Sequence, residues 1–356
     1  MIRPGALRHL LCLLVFLLPT LSAAQTLRVA TFNTELSRKG PGLLLRDITR
    51  NTDPQVRAVI EVIRQVRPDI LLLQGIDWDH EGRAVSALSA QIAGPDYALP
   101  HTLSPRPNSG MATGLDLNGD GKRHGPEDAQ GFGSFTGQFG MALLSRFPIK
   151  AAELRDFSTL LWRDLPDADL PRFPDGRPFP SEEAQQIQRL TSVGHWTVPV
   201  VLPAGQKLTL MAFHATPPVF DGPEDRNGRR NQDQIRFWQH LMDGKLGPAP
   251  AAPFVLLGDA NLDPQGSDGR MEAIRALLAD PRLQDPQPTR PAPNDTDPAT
   301  VDWPKVGQLR VDYVLPSAEL EVLNSGVFWP ATDTPDHAVV SKASRHRLVW
   351  VDIRIQ

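Results

Sequence analysis

Asn33, His214, the pair Asp259 and Asn261, the pair Asp312 and Tyr313, and the pair Asp336 and His337 each stand at the end of an apolar run. Carboxylates, imidazoles and amides in that setting suit one chemistry, metal-assisted hydrolysis of a phosphoester. That reaction needs a metal to neutralise phosphoryl oxygens, a base or positioned water, and donors to the charge that builds in the transition state. The run Pro253 to Leu257 reads as a buried strand, and Gly258 to Asn261 follow at its C-terminal end, where catalytic groups of α/β proteins usually sit. Asp259 and Asn261 are two apart, so in an extended chain both side chains point the same way. Together they can orient a water and hold a phosphoryl oxygen. Taken singly, Asp259 and Asp312 read equally well as turn or cap residues, and His214 as a satisfied core histidine.

The elements that must position these groups follow from periodicity. Leu27 to Asn33 reads as a first strand. Asp53 and Pro54 start a helix as N-cap and first helical residue, with Val56, Val59, Ile60 and Ile63 on one face. Asp69 to Gln74 is continuously apolar between its polar ends, which predicts a strand covered on both faces. Further strands are expected at Gly140 to Ser145, Val193 to Val201, Lys207 to His214, Phe254 to Gly258, Arg310 to Leu315, Leu320 to Val327 and Arg347 to Ile355. Helices are expected over Gln232 to Met242 and Met271 to Leu278. The strand, helix, strand opening predicts an α/β layered sandwich. Residues 94–137, 164–183 and 284–304 are rich in Gly, Pro, Asn and Asp and read as long ordered loops.

With 356 residues and 40% hydrophobic content, the chain can bury a sizeable core, and no break in composition divides it. Arg3 and Arg8, an apolar run from Leu10 to Leu18, and Ser22 to Ala24 have the layout of a secretory signal cut before Gln25. The run is short for a bilayer span, so a membrane anchor is the lesser reading and the mature chain is expected to have none. A secreted or periplasmic location follows from this reading. The one cysteine, Cys12, would leave with the signal, which excludes disulfides, thiolate catalysis and cysteine-held zinc in residues 25–356. The formal net charge of −4 argues mildly against tight nonspecific nucleic-acid binding.

Val29 to Asn33, Asp69 to Gln74, Met211 to His214, Gly258 to Asn261, Val311 to Leu315 and Asp336 to Ala338 occur in one order. On these six pieces the chain, from about Leu27 to its C-terminus, resembles the endonuclease/exonuclease/phosphatase superfamily of deoxyribonuclease-like phosphoesterases. The resemblance implies a four-layer αββα sandwich of two packed mixed sheets flanked by helices. It also implies divalent-metal-dependent hydrolysis by in-line water attack, of the nuclease or phosphatase type. By the same resemblance Asp259 orients or deprotonates the water, Asn261 holds the phosphoryl oxygen and Asn33 positions metal and base. Asp312 fixes the tautomer of a phosphate-facing His337, Asp336 is a metal ligand, and His214 is a second phosphate-facing histidine or the leaving-group acid. Hard oxygen ligands favour Mg²⁺ or Mn²⁺.

One position departs from that pattern. A metal-binding Glu is expected directly after Leu73-Gln74, and Gly75 stands there. Asp77 is the first candidate to replace it and Glu35 the second, each by its side of an extended chain. Separately, Asp116, Asn118, Asp120, Gly121 and Glu127 fit the spacing D-x-[DN]-x-[DN]-G-x5-E of a Ca²⁺ loop, without the flanking helices of an EF-hand. An acidic turn without an ion is the alternative. Arg226, Arg229 and Arg230 follow His214 and could grip a substrate phosphate, or pair with neighbouring acids. Aromatics do not alternate with basic residues, so the substrate stays open among nucleic acid, phosphorylated small molecule and lipid headgroup. An exported, noncatalytic Ca²⁺- or ligand-binding protein on the same fold is the rival reading, suggested by Gly75.

Overall fold

Apolar residues alternate sides along the strands, and that alternation builds the layers of the computed structural model, which describes residues 25–266, 268–290 and 297–355. In β1 (Gln25–Asn33), Leu27 and Val29 face one way while Ala30 and Phe32 face the other. In β2 (Ile70–Ile76), Ile70 and Leu72 oppose Leu71 and Leu73 in the same manner. Both faces of each strand are therefore buried, as the unbroken apolar run of β2 predicts.

The first sheet has the order β12 (Glu321–Val327), β13 (Val349–Ile355), β1, β2, β4 (Gly140–Ser145), β3 (His101–Leu103). The second has the order β11 (Asp312–Pro316), β8 (Phe254–Asp259), β7 (Lys207–His214), β6 (His195–Val201), β5 (Arg155–Asp156). Both are mixed: β1 pairs parallel with β2, and β7 with β8, while the other pairings are antiparallel. A separate hairpin joins β9 (Val301–Trp303) to β10 (Gly307–Leu309). Leu27, Val29, Leu72 and Leu143 of the first sheet pack on Trp196, Val198, Leu210 and Leu257 of the second.

Helices cover the outer faces. α1 (Leu43–Arg50), α2 (Pro54–Val66), α3 (Arg83–Ile92) and α7 (Pro335–Ala343) pack on the first sheet; α5 (Arg226–Met242) and α6 (Glu272–Leu278) pack on the second. α4 (Glu182–Ile187) is a short turn of helix that begins where the 164–183 stretch ends. The result is the expected four-layer αββα sandwich. α2 begins as its sequence requires, with the Asp53 carboxylate accepting the Val56 amide at 2.9 Å and Pro54 leading the helix.

Several elements exceed the sequence expectation. α5 starts at Arg226, six residues before the expected Gln232. Its first turns bury Arg226, Arg230 and Asn231 against loops, so they lack the apolar stripe that marks a helix in sequence. α1, α3, α4 and α7 were not expected at all. The 94–137 stretch is mostly irregular and is pinned by Asn108, whose Nδ2 donates to the carbonyls of Ser158 (2.7 Å) and Thr191 (2.8 Å). The expected signal segment lies outside the described residues. Among those described, no helix is long and apolar enough to cross a membrane.

Candidate active site

Strand pairing brings the polar strand ends together. β7 and β8 run parallel, so their last residues, His214 and Asp259, are paired neighbours. β11 runs antiparallel to β8 and sets its first residue, Asp312, opposite Asp259. Gly258 permits this approach: a Cβ there would lie 2.1 Å from the Phe213 carbonyl oxygen. From the facing sheet, Asn33 ends β1, and His346 stands three residues before the start of β13, the strand beside β1.

Asp259 is fully buried and every oxygen is engaged. Its Oδ2 accepts the Asn33 Nδ2 hydrogen at 2.8 Å and lies 3.5 Å from His214 Nε2; its Oδ1 accepts the Asn261 amide at 2.8 Å. Beside it, Asp312 Oδ2 accepts from His346 Nδ1 at 2.9 Å and from the Thr300 hydroxyl at 2.8 Å. His346 Nδ1 is 3.9 Å from Asp259 Oδ2, so the imidazole lies between two carboxylates. Trp303 stands edge-on to the His346 ring. Asp259, Asp312 and His346 form a buried cluster whose ligand-type atoms lie within 4.8 Å of one another.

Burial and mutual charge set three protonation states. Burial, then the neighbouring Asp312 charge, raise the Asp259 carboxyl to about 7. Burial pushes His346 down, but the charges of Asp312 and Asp259 outweigh it and raise the imidazole to about 9. Burial, then the His346 charge, lower His214 to about 3. These shifts favour an imidazolium at 346 and a neutral imidazole at 214 near neutral pH, and bring the Asp259 carboxyl into the range where it exchanges a proton.

The fold that carries these strand ends has known counterparts. A solved endonuclease/exonuclease/phosphatase from Beutenbergia cavernae superposes with TM-score 0.52 at 18% identity, covering 93% of this chain and 72% of that one. A family protein from Leptotrichia buccalis gives 0.53 at 16% identity, over 92% and 100% of the two chains. One from Bacteroides thetaiotaomicron gives 0.51 at 16%, over 94% and 99%. These likenesses establish the fold. No curated protein matches the sequence. Residues 30–346 match the Endonuclease/Exonuclease/phosphatase family. The chain belongs to that family. Its members are hydrolases acting on phosphoester bonds, and they typically use divalent metals.

Asp312 does pair with a histidine, but with His346 rather than His337. Asp336 and His337 lie in the first turn of α7, capped by Thr334, on the outer helical layer. There Asp336 accepts from Gln65 of α2 at 3.1 Å and His337 Nδ1 meets the Pro330 carbonyl at 3.1 Å. An Asp-His pair after Thr-Pro is a helix N-terminus here, because Asp favours the positive end of the helix dipole. His346 carried its own signal, standing before the last apolar strand. The residue ahead of it is Arg345, so no Asp precedes the histidine that Asp312 holds.

Asn33, His214, Asp259 and Asp312 converge as expected. Asn261 also reaches the site, with left-handed backbone (φ 49°) and one Nδ2 hydrogen given to the Ala215 carbonyl at 3.0 Å. Burial and the His346 charge disfavour protonated His214, which suits the phosphate-facing role better than that of leaving-group acid.

The candidate metal ligands are otherwise occupied. Asp77 accepts the Ser37 hydroxyl (2.8 Å) and the Arg38 amide (2.8 Å), ordering the loop after β1. Glu35 is bound by Ser344 and Arg345. In the Asp116 loop, Asp116 accepts the Gly119 and Gly121 amides, Asn118 the Asp120 amide and Asp120 the Lys122 amide. Asp116, Asp120 and Glu127 do not gather into a three-ligand group among the described residues. Protein groups brace the loop as well: Asp128 accepts the Leu117 amide at 2.9 Å, and Arg226 donates to the Leu117 carbonyl.

The three arginines are likewise structural. Arg229 pairs with Asp169. Arg230 is buried and donates to the carbonyls of Leu190 (2.9 Å), Gln130 (2.5 Å), Arg189 (2.7 Å) and Thr191 (3.3 Å). Because α5 starts at Arg226, all three sit on its first turns and tie the helix to surrounding loops. Arg226 and Arg230 are buried there, and the part-exposed Arg229 is held by Asp169 and the Glu224 carbonyl.

Proposed function

We propose that this chain hydrolyses a phosphodiester by in-line attack of water, with Asp259 as the base. The observation that carries the reading is the buried Asp259, held by Asn33 and flanked by His214, beside the Asp312–His346 pair. Asp259 takes a proton from water as its oxygen attacks phosphorus. The bond from phosphorus to the leaving oxygen breaks, and His346 Nε2 gives that oxygen its proton while Asp312 holds Nδ1. His214, neutral, orients Asp259 or donates to a phosphoryl oxygen.

A diester is favoured over a monoester on charge. Asp259, Asp312 and Glu35 face two cations, His346 and Arg345, so a monoanionic phosphate suits the site better than a dianion. The Mg²⁺ or Mn²⁺ expected from the sequence requires several free hard oxygens facing one point. The carboxylates around Asp259 do not offer them, and no step above passes through a metal.

Hydrolysis of bis(p-nitrophenyl) phosphate against p-nitrophenyl phosphate tests the reading. Turnover of the diester that disappears in Asp259→Asn is the expected result. Equal turnover in Asp259→Asn would refute the assignment of the base, and no turnover of either ester would leave an exported binding protein on this fold. The reading includes export: residues 1–24 direct the chain out of the cytoplasm and are cut before Gln25, which N-terminal sequencing of the exported protein checks.

A further inference from the structure

The phosphoester reading leaves one demand unmet, a positive charge facing the phosphoryl oxygens, and the chain's own carboxylates explain why a divalent ion does not meet it in the expected way. Asp259 Oδ1 carries the Asn261 amide and Oδ2 the Asn33 amide group. Asp312 Oδ2 carries His346 and Thr300, which leaves only its buried Oδ1 without a hydrogen-bond partner. Both oxygens of Asp77 hold the loop after β1. Position 75 has no side chain and no room for one. Its backbone is left-handed (φ 68°), and a Cβ there would lie 2.6 Å from Asn33 Oδ1 and 2.9 Å from the Glu35 nitrogen. Asp259, Asp312 and His346 bring their ligand-type atoms within 4.8 Å of one another, but all three are buried and the imidazole lies between the two carboxylates, unlike the open cage of oxygens that Mg²⁺ or Mn²⁺ takes.

A cation of the protein's own stands at this place. Glu35 turns back just after Asn33, with φ 49° and its amide 3.3 Å from Asn33 Oδ1. Its Oε2 accepts the Ser344 hydroxyl (3.1 Å) and the Arg345 amide (2.8 Å), while its Oε1 accepts Arg345 Nε (2.8 Å) and Nη2. The Ser344 hydroxyl also donates to the Asn33 carbonyl at 2.8 Å. The guanidinium is thus fixed along one edge, one residue from His346 and tied through Asn33 to Asp259. The Arg345 side chain is 56% exposed, and its Nη1 has no protein partner among the described residues. A planar fork held on one side with a free edge toward solvent is the geometry that receives phosphate oxygens.

We propose that Arg345, clamped by Glu35 beside His346, is the cation that receives the phosphoryl oxygens of the substrate, so that the site binds phosphate without a divalent metal. This rests on the phosphoester reading, and it gives that reading its substrate-binding residue in place of Arg226, Arg229 and Arg230.

The test is titration of the EDTA-stripped, metal-assayed full chain with inorganic phosphate by calorimetry, with and without added Mg²⁺ or Mn²⁺, alongside turnover of bis(p-nitrophenyl) phosphate. The stripped protein is expected to bind phosphate with little change on adding either ion. Arg345→Ala should weaken binding about tenfold or more, Arg345→Lys less, because the loss is of a charged, bidentate donor. Thermal melts of both variants confirm that they fold. Phosphate binding that requires Mg²⁺ or Mn²⁺, binding unchanged in Arg345→Ala, or no phosphate binding at all would each overturn the proposal. Arg345-dependent phosphate binding without ester turnover would instead overturn the hydrolytic reading and leave Arg345 as the phosphate site.

Discussion

Replacing Asp312 by Asn isolates what its charge does to His346. The Asn Oδ1 can keep the hydrogen bonds from His346 Nδ1 and Thr300, and its Nδ2 falls where Asp312 Oδ1 already has no partner. Shape and tautomer are therefore retained while the charge is lost. Burial alone drives His346 below its ordinary 6.5, and Asp312 is the largest of the groups that lift it to about 9. That lift is worth roughly 3 kcal/mol at about 1.36 kcal/mol per pH unit. With Asp312 neutral, burial is opposed chiefly by Asp259, and His346 should titrate near or below 6.5. Asp259, raised in part by the Asp312 charge, should fall as well. In the wild type, activity should rise with pH as Asp259 loses its proton near 7 and fall as His346 loses its own near 9, the two limbs belonging to the coupled cluster. In Asp312→Asn the whole bell should move to lower pH. At pH 8 the imidazolium fraction drops from nearly all to a few per cent or less, so kcat/KM should fall about 30- to 100-fold and recover in part near pH 6. Diester hydrolysis measured from pH 5 to 10, with NMR titration of His346, reads this directly. A loss that is uniform across pH, or a basic limb that stays near 9, would refute the argument.

Asp259→Asn should retain the fold and lose about 10³-fold or more in turnover, since the proton acceptor is removed; circular dichroism and diester kinetics check both. His214→Gln should lower kcat without moving either limb of the pH profile, because burial holds His214 neutral throughout that range. Arg230→Met should destabilise the protein by about 2–4 kcal/mol, because the Gln130 and Arg189 carbonyls lose their donor while Leu190 and Thr191 keep Gln234 and Asn108, with unchanged kcat/KM in the folded fraction. A specific rise in KM would instead restore Arg230 to the substrate site. Gly75→Glu should not create a metal site and should cost about 2 kcal/mol or more, seen in a denaturant melt, because the left-handed backbone and Asn33 leave the new side chain no place.

Much of this protein is local in origin and therefore readable along the chain. The alternation in Leu27 to Phe32, the doubly buried run of β2 and the Asp53-Pro54 start of α2 each depend on residues a few positions apart. So do the polar ends of β1, β7, β8 and β11, which hold Asn33, His214, Asp259 and Asp312. What the chain alone left open is which separate ends meet. Asp336-His337 has the residue types for the site but belongs to a helix N-terminus on the outer layer. His346 gains its role only because β13 lies beside β1 while β11 lies beside β8 in the sheet packed against it. Arg226, Arg229 and Arg230 follow His214 closely in sequence, yet the early start of α5 turns them to loop carbonyls and Asp169. Arg345, more than 300 residues from Glu35, ends beside it and Asn33. Residue type and short-range periodicity thus determined the strands and the chemistry on offer. Sheet pairing and the packing of one sheet on the other, contacts remote in sequence, decided which carboxylate, imidazole and guanidinium share a site.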